Sequence, residues 1–309
     1  MTTDPIFVLT GCTACGKTEL ALDWATRFGA EIVSCDSLLF YRGMDIGTAK
    51  PTPAEQARVP HHLIDIMEVE ERMDVKRYAE LARATVNAID ARGHRVLVVG
   101  GSGFYLKSFL EPVADEVEVD PELRDGLEAQ LETDGLAALV ARLHGLNPAG
   151  LGDLDVQNPR RVVRALERCL VSGQTLDALA RQFAALERPF AGREVRVVEL
   201  VREPDELRVR IEARVKAMLA AGLIDEVRTL RRWGLEQNPS AAAAIGYRET
   251  LAWLDEGGEL ADLQASIAQN TWQLVRKQRT WFRTQLPEHR LVTLRAGDPP
   301  DVAQLFEAE

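Results

Sequence analysis

Ile6-Phe7-Val8-Leu9-Thr10 runs straight into Gly11-Cys12-Thr13-Ala14-Cys15-Gly16-Lys17-Thr18, and this stretch decides the fold. The first five residues read as a buried strand, and the octet fits the phosphate-loop pattern G-x-x-x-x-G-K-[ST]. Leu20, Ala21, Trp24, Ala25 and Phe28 then recur at helical spacing, which predicts a helix from Lys17 to Phe28. Strand, glycine loop and helix in that order form an anion cradle. Gly11 and Gly16 free the backbone to curl its N–H groups toward a phosphate, and the helix presents its positive end there. Lys17 adds a point charge, and the Thr18 hydroxyl suits a magnesium ion bridging two phosphates. The ligand expected from the loop is a di- or triphosphate.

Working outward, further strands are predicted at Glu31–Ser34, Arg95–Val99, Val195–Val201 and Arg290–Leu294. Helical patterns at Val75–Ala91, Pro204–Ala220, Ile224–Trp233, Ser240–Leu254 and Leu260–Gln285 surround them, with a short terminal helix last. Apolar strands alternating with helices indicate a parallel sheet covered on both faces, and such sheets bind ligands beyond the carboxyl ends of their strands. The residues to read are therefore Thr13–Thr18, Cys35–Ser37 and Gly100–Tyr105. From about Asp120 to Arg188 the pattern is helical without a convincing strand, which suggests an inserted subdomain with hinges at Glu111–Asp120 and Pro189–Arg193. The expected division is a core of residues 1–114 and 194–309 with a helical insertion at 115–193.

The chain has 309 residues, 46% of them hydrophobic, and a formal net charge of -11. That balance argues against a general polyanion binder. Local clusters stand apart from it: Arg160, Arg161, Arg164 and Arg168, and later Arg276, Lys277, Arg279 and Arg283, recur at helical spacing. Such patches can hold a nucleic acid or simply form solvated helix faces. The longest apolar runs are too short to span a bilayer, Met1–Pro5 lacks the basic region of a secretory signal, and the four cysteines suggest no disulfide framework. A cytoplasmic protein is expected. No heptad or apolar stripe stands out, so a monomer is expected too.

Asp36 follows the second strand. A carboxylate there can hold magnesium through water or take a proton from a nucleophile, although Asp-Ser also forms turns and helix caps. Gly100-Gly101-Ser102-Gly103-Phe104-Tyr105 follows the third predicted strand, and its glycines permit close approach of backbone to ligand.

The phosphate loop, the run Asp36-Ser37 into Tyr41-Arg42-Gly43-Met44-Asp45-Ile46-Gly47-Thr48-Ala49-Lys50-Pro51, and Pro60-His61-His62-Leu63-Ile64-Asp65 together resemble the tRNA dimethylallyltransferase (IPP transferase) family. Gly100–Tyr105, Asn158–Glu167, Ile245-Gly246-Tyr247-Arg248 and Arg276–Arg283 agree, in family order over nearly the whole chain. The resemblance implies an α/β fold: a P-loop NTPase-like parallel sheet flanked by helices, with an inserted all-helical tRNA-binding subdomain. It implies transfer of the dimethylallyl group from dimethylallyl diphosphate to N6 of the adenosine 3′-adjacent to the anticodon, in tRNAs reading codons that start with U. The implied partners are the tRNA anticodon stem-loop and dimethylallyl diphosphate. Asp36, Thr18 and Lys17 would be catalytic, with Asp36 the base. Gly11, Thr13, Ala14, Cys15, Gly16, Lys17 and Thr18 would bind the diphosphate, with a Mg2+ cofactor at Thr18. Asp36, Ser37, Leu38, Leu39, Ser102, Arg160, Arg161, Arg164, Gly246, Tyr247 and Arg248 would contact tRNA.

The chain departs from the family pattern at Cys12 and Cys15, where Pro and Ser are common, and at Ala243, where relatives carry Arg or Gln. Cys12-x-x-Cys15 with Cys35 nearby has the look of a redox or metal cluster, but a thiolate would repel a diphosphate; a reactive thiol at Cys15 is a separate expectation. Arg210 and Arg214, on one helix face, suit either substrate binding or surface ion pairs. His61 and His62 point in different directions and suit a structural or substrate contact. Two rival enzymes fit the same loop: a prenyltransferase of free adenine nucleotides, and a small-metabolite kinase. A non-enzymatic nucleotide switch or RNA-binding protein is the third alternative.

Overall fold

The computed structural model describes residues 4–113, 117, 119–295, 297 and 300–307. Six parallel strands form one sheet: β1 (Ile6–Gly11), β2 (Ala30–Ser34), β3 (His61–His62), β4 (Arg95–Val99), β5 (Val195–Arg202) and β6 (Arg290–Leu294). They lie in the order β3-β2-β4-β1-β5-β6. Ile6 of central β1 is opposite Val96 on one side and Val195 on the other. Every residue of β1 and β2 is buried, as the apolar runs require when both faces are covered. The chain leaves β1 toward one edge of the sheet and later returns on its other side, so a crevice opens beyond the carboxyl end of β1.

Helix α1 (Lys17–Phe28) buries Leu20, Ala21, Leu22, Trp24 and Ala25 and ends at Gly29, whose φ of 63° closes it. Helix α2 (Pro53–Arg58) starts on a capping box between Thr52 and Glu55. Helix α3 (Val75–Ala91), capped by Asp74, turns Tyr78, Ala82, Val86 and Ile89 inward. Burial of each large apolar side chain contributes roughly 1.5–3 kcal/mol. Helix α4 (Gly103–Lys107) follows β4.

The chain divides into two compact units, Met1–Val113 with Pro189–Glu309, and Ala114–Arg188. The second unit holds α5 (Pro121–Leu146), α6 (Pro159–Ser172) and α7 (Leu176–Ala184). Its own core includes Leu127, Leu139, Leu143, Val162 and Leu166. Helix α5 bends at Gly135, which sits at a φ of 79°. The buried Glu167 carboxylate accepts from Arg124 at 2.7 Å and Arg164 at 2.9 Å, so its charge is paired. Of the expected hinge Glu111–Asp120, residues 114–116 and 118 lie outside the described residues, as does the expected boundary at 114–115.

The first unit is completed by α8 (Pro204–Ala220), α9 (Leu223–Arg232), α10 (Pro239–Ala242), α11 (Tyr247–Glu256) and α12 (Leu260–Gln285). Where one helix is expected over Ser240–Leu254, the chain makes two, because Gly246 at a φ of 94° breaks the run. The terminal helix is a single 3-10 turn, Val302–Gln304. Phe109, after α4, stacks on Phe190, before β5, with ring centroids 5.7 Å apart and planes within 8°. Among the described residues no helix is long and apolar enough to cross a membrane.

Candidate active site

The loop between β1 and α1 curls as its glycines allow. Gly11 has a φ of 144°, and a Cβ there would lie 2.5 Å from the Leu200 carbonyl oxygen, so no larger residue fits. Lys17 folds over the loop and donates from Nζ to the carbonyls of Gly11 at 2.8 Å and Cys12 at 2.9 Å. Two expected amide donors are engaged within the protein: the Thr13 N–H donates to Gln278 Oε1 at 2.9 Å and the Cys15 N–H to the Cys12 carbonyl at 3.4 Å. The first N–H groups of α1, from Lys17 and Thr18 on, have no intrahelical acceptor and face outward from the helix end. Thr18 itself is exposed.

Three arginines surround the loop. Arg202 Nε donates to the Cys15 carbonyl at 3.1 Å, and Arg210 Nε to the Ala14 carbonyl at 2.7 Å. Arg214, further along α8, donates to the Thr48 carbonyl at 3.3 Å. Arg202 also pairs with Glu206, one turn into α8. The surface-ion-pair alternative for Arg210 and Arg214 gives way to this placement, since both hold backbone at the ligand edge of the sheet. With Lys17 they make the loop a concentrated positive site in an otherwise acidic chain.

Asp36 stands at the carboxyl end of β2, half-buried, with Oδ1 accepting the Leu38 N–H at 3.0 Å. Burial pushes its carboxyl above the ordinary carboxylate value, opposed by that N–H and by the charges of Lys17 and Arg214. The neighbouring Ser37 N–H donates to Ser102 Oγ at 3.0 Å, and the Ser102 N–H donates to the Cys35 carbonyl at 3.4 Å. Gly100 is obligatory beside them: a Cβ would lie 1.9 Å from the Cys35 carbonyl oxygen. Gln278 of α12 completes the chain of contacts, since its Nε2 donates to the Gly101 carbonyl at 2.9 Å while its Oε1 holds Thr13. Phosphate loop, Gly-Gly loop and Asp36 loop are thereby joined through side chains. Trp281, one turn on, lies where a Cβ on Gly103 would come within 2.4 Å of it.

The residues expected to meet RNA separate into groups. Ser37, Leu38 and Leu39 are half-buried beside Asp36, and Ser102 serves their backbone. Arg160, Arg161 and Arg164 are all exposed on α6 of the second unit, where Asn158 caps the helix by accepting the Arg161 N–H. Arg248 is exposed and paired with Glu249. The RNA contact expected of the Tyr247 side chain is corrected by its placement: it is fully buried, with its hydroxyl donating to Glu226 Oε1 at 2.7 Å. The same carboxylate accepts the N–H groups of Asp45, Ile46 and Gly47 at 3.1, 2.6 and 3.1 Å. A Cβ on Gly47 would meet the Tyr247 ring at 2.6 Å. The two family-like segments around Gly47 and Tyr247 are thus one interlocked knot. Gly246 opens α11 there, its N–H donating to Glu249 at 2.7 Å.

The histidines are structural. His62 Nε2 meets Glu31 at 2.6 Å and His61 Nδ1 meets the Val59 carbonyl at 2.7 Å. Among the described residues no group of three or more His, Cys, Asp or Glu could hold a metal, so the cysteines form no metal cluster. Sequence reasoning passed over Gln278, Glu226 and Lys50. Lys50 is buried against Asp45 at 2.7 Å and Asp65 at 2.5 Å. The available signal was a lysine closing the glycine-containing run from Gly43, with Asp45 before it and Asp65 after it in sequence.

The comparisons agree with this geometry. The family described as IPP transferase matches residues 39–285. A tRNA dimethylallyltransferase of Opitutus terrae is 60% identical over 285 residues, covering 92% of each chain. Another, from Chloroflexus aggregans, is 40% identical over 297 residues, covering 96% of this chain and 97% of that protein. The crystal structure of a full-length tRNA isopentenylpyrophosphate transferase from Bacillus halodurans superposes with a TM-score of 0.67 at 32% identity, over 94% of this chain and 90% of that one. A eukaryotic dimethylallyltransferase captured acting on tRNA shares the fold, with a TM-score of 0.81 at 24% identity over 94% of this chain and 74% of that one. The chain belongs to the IPP transferase family, the tRNA dimethylallyltransferases.

Proposed function

We propose that this protein moves a dimethylallyl group from dimethylallyl diphosphate to N6 of the adenosine on the 3′ side of the anticodon, in tRNAs reading codons that start with U. The observation that carries the reading is the joined ligand edge of the sheet, where Thr13, Gln278, Gly101, Ser102 and Ser37 link a phosphate cradle to a desolvated Asp36. In the transfer, a bond forms between N6 and the allylic carbon while that carbon's bond to the diphosphate oxygen breaks. Lys17, Arg210 and the amides at the head of α1 neutralise charge as it develops on the leaving diphosphate. Asp36 takes the proton that N6 loses, and its raised affinity for protons matches it to that step. An allylic carbon ionises readily, so positioning of the two reactants is the larger part of the protein's work.

The exposed Thr18 hydroxyl beside the loop would hold a Mg2+ ion. Such an ion supplies further charge neutralisation at the diphosphate. The helical insertion, expected over 115–193 but folded as the unit Ala114–Arg188, is read as the tRNA-binding subdomain, with exposed Arg160, Arg161 and Arg164 on RNA phosphates and Arg248 and the Gly246 backbone as further contacts. The adenine must leave its stack to reach the allylic carbon, and a single-stranded anticodon loop permits that at low cost. A cytoplasmic monomer is part of the same reading.

The test is mass spectrometry of unmodified tRNA incubated with the protein, dimethylallyl diphosphate and magnesium, beside an Asp36→Ala control. One C5 unit gained on the adenosine after the anticodon, and lost in the control, is the expected result. Gain on AMP but not on tRNA would favour the free-nucleotide prenyltransferase, and phosphate release from ATP would favour the kinase.

A further inference from the structure

Two thiols occupy the phosphate loop in a pairing that prenyl transfer does not need. Cys12 and Cys15 are both buried, at 3% and 0% exposure. The Cys15 N–H donates to the Cys12 carbonyl at 3.4 Å, closing a four-residue turn. Such a turn keeps its end Cα atoms within about 7 Å, and a disulfide accepts Cα separations of about 4.4–6.8 Å. The Cys12 side chain lowers the Cys15 thiol to about 6, and Cys15 in turn raises that of Cys12. Lys17 Nζ lies 3.8 Å from Cys15 Sγ, and the loop feeds the N-terminus of α1 two residues later. Both features favour a thiolate at Cys15, as does the neighbouring Cys12 side chain. The remaining cysteines are placed differently. Cys35 Sγ faces the Ser102 carbonyl at 3.9 Å, with burial pushing its thiol up to about 12, and Cys169 belongs to the second unit.

We propose that Cys12 and Cys15 are a site of reversible oxidative modification, forming a disulfide with peroxide that closes the phosphate loop to diphosphate. The Cys15 thiolate attacks one peroxide oxygen; an S–O bond forms, the O–O bond breaks, and the leaving oxygen departs as water after taking up a proton. The Cys12 thiol then attacks the sulfenic sulfur, forming the S–S bond, breaking the S–O bond and releasing a second water. Two thiols and one peroxide thus give one disulfide and two waters, with two electrons passing from sulfur to oxygen. A dithiol reductant reverses the step by exchange. The sulfurs are screened from bulk water, so only a small oxidant reaches them, and a diphosphate bound in the cradle would add to that shielding. Oxidation draws the loop inward at a crowded point, since Cys15 Sγ lies 3.0 Å from the position of a Cβ on Gly11. Loss of the thiolate charge beside Lys17 works the other way, so the closure acts through the shape of the loop. Losing one amide hydrogen bond to a charged diphosphate weakens binding about ten- to hundredfold, and a loss of that order is expected in diphosphate affinity.

The consequence for diphosphate rests on the function proposed above, whereas the disulfide does not, and the two are read separately. The full-length protein is treated with hydrogen peroxide, its remaining thiols are alkylated under denaturing conditions, and peptides are mapped by mass spectrometry. Inorganic diphosphate binding is measured by calorimetry before and after. The expected result is a Cys12–Cys15 cross-link that reduces the alkylated thiols from four to two. It reverts with dithiothreitol, forms more slowly in the presence of diphosphate, and accompanies the affinity loss. Cys12→Ser should stop Cys15 at the sulfenic or sulfinic stage. Four thiols surviving peroxide, or Cys15 over-oxidised in the native protein while Cys12 stays free, would overturn the disulfide. A cross-linked protein that binds diphosphate as the reduced one does would overturn the closure. A reduced protein that binds no diphosphate would overturn the proposed function of the loop, with the cross-link still decided by the thiol count.

Discussion

Replacing Asp36 by Asn separates the carboxylate's charge from its shape. Asn keeps an Oδ1 able to accept the Leu38 N–H now held at 3.0 Å, so the hydrogen bond, worth about 1 kcal/mol net, survives. What is lost is the proton acceptor for N6. General-base catalysis contributes about 10²–10⁴-fold, so kcat should fall by that factor, equivalent to roughly 3–5 kcal/mol of barrier. The KM for dimethylallyl diphosphate should not rise, because a negative charge near Lys17 and Arg214 has been removed from beside an anion site. The pH profile gives a second readout. Burial raises the Asp36 carboxyl, so the wild-type rate should climb with pH on an acid limb above the ordinary carboxylate range, and the Asn variant should lack that limb. Because ionising a half-buried carboxyl costs folding energy at neutral pH, the variant should melt no lower than the wild type there. The assay is single-turnover transfer to an anticodon stem-loop across pH, with thermal melts alongside. A loss under tenfold, or an acid limb that persists in the variant, would refute Asp36 as the base.

Three further outcomes are expected. Gln278→Leu removes both bonds that tie the phosphate loop to the Gly-Gly loop; at about 1 kcal/mol each, kcat/KM should drop about thirtyfold, with Gln278→Glu, which retains only the acceptor for Thr13, falling between. Arg161→Glu on exposed α6 should weaken tRNA binding and flatten its dependence on salt by about one charge, while leaving inorganic diphosphate binding unchanged in calorimetry. His289 meets Glu199 at 3.0 Å, and that partner raises the imidazole's proton affinity. Its stabilisation is fully present below the ordinary histidine value of about 6.5 and disappears as pH rises through the higher folded value, so His289→Ala should lower the melting temperature at about pH 5.5 and much less at about pH 9.

The centre of the fold was legible in the sequence because local chemistry and tertiary role coincide there. β1 is apolar because it is buried on both faces, and the glycines after it serve the same loop they announce. Asp36 could be found because a strand end fixes where its residue goes. β3 was not legible, since His61-His62 becomes a strand only by pairing with Ile32 and Val33, and two residues carry no period. The continuous helix expected over Ser240–Leu254 failed at Gly246, where the alanine-rich run before it outweighed one glycine in the reading. Gln278 sat in a family-like segment, but its role was hidden for another reason. It lies 265 residues from Thr13, on a helix whose basic neighbours suggest a surface, and its role arises only when α12 crosses the loop. Tyr247 shows the converse: within a segment expected at RNA, its side chain is held in the Glu226 knot, which a linear pattern cannot distinguish from a binding contact.

The Phe109–Phe190 stack bears on how freely this chain can change over evolution. It brings together, within the first unit, the two ends between which Ala114–Arg188 is spliced. To the sheet, the whole insertion is therefore one side loop whose closure is already made. Closure entropy grows only with the logarithm of loop length, about 0.6 kcal/mol for each doubling. Residues can be added to the insertion or removed from it at almost no cost to strand register, while the phosphate cradle stays fixed.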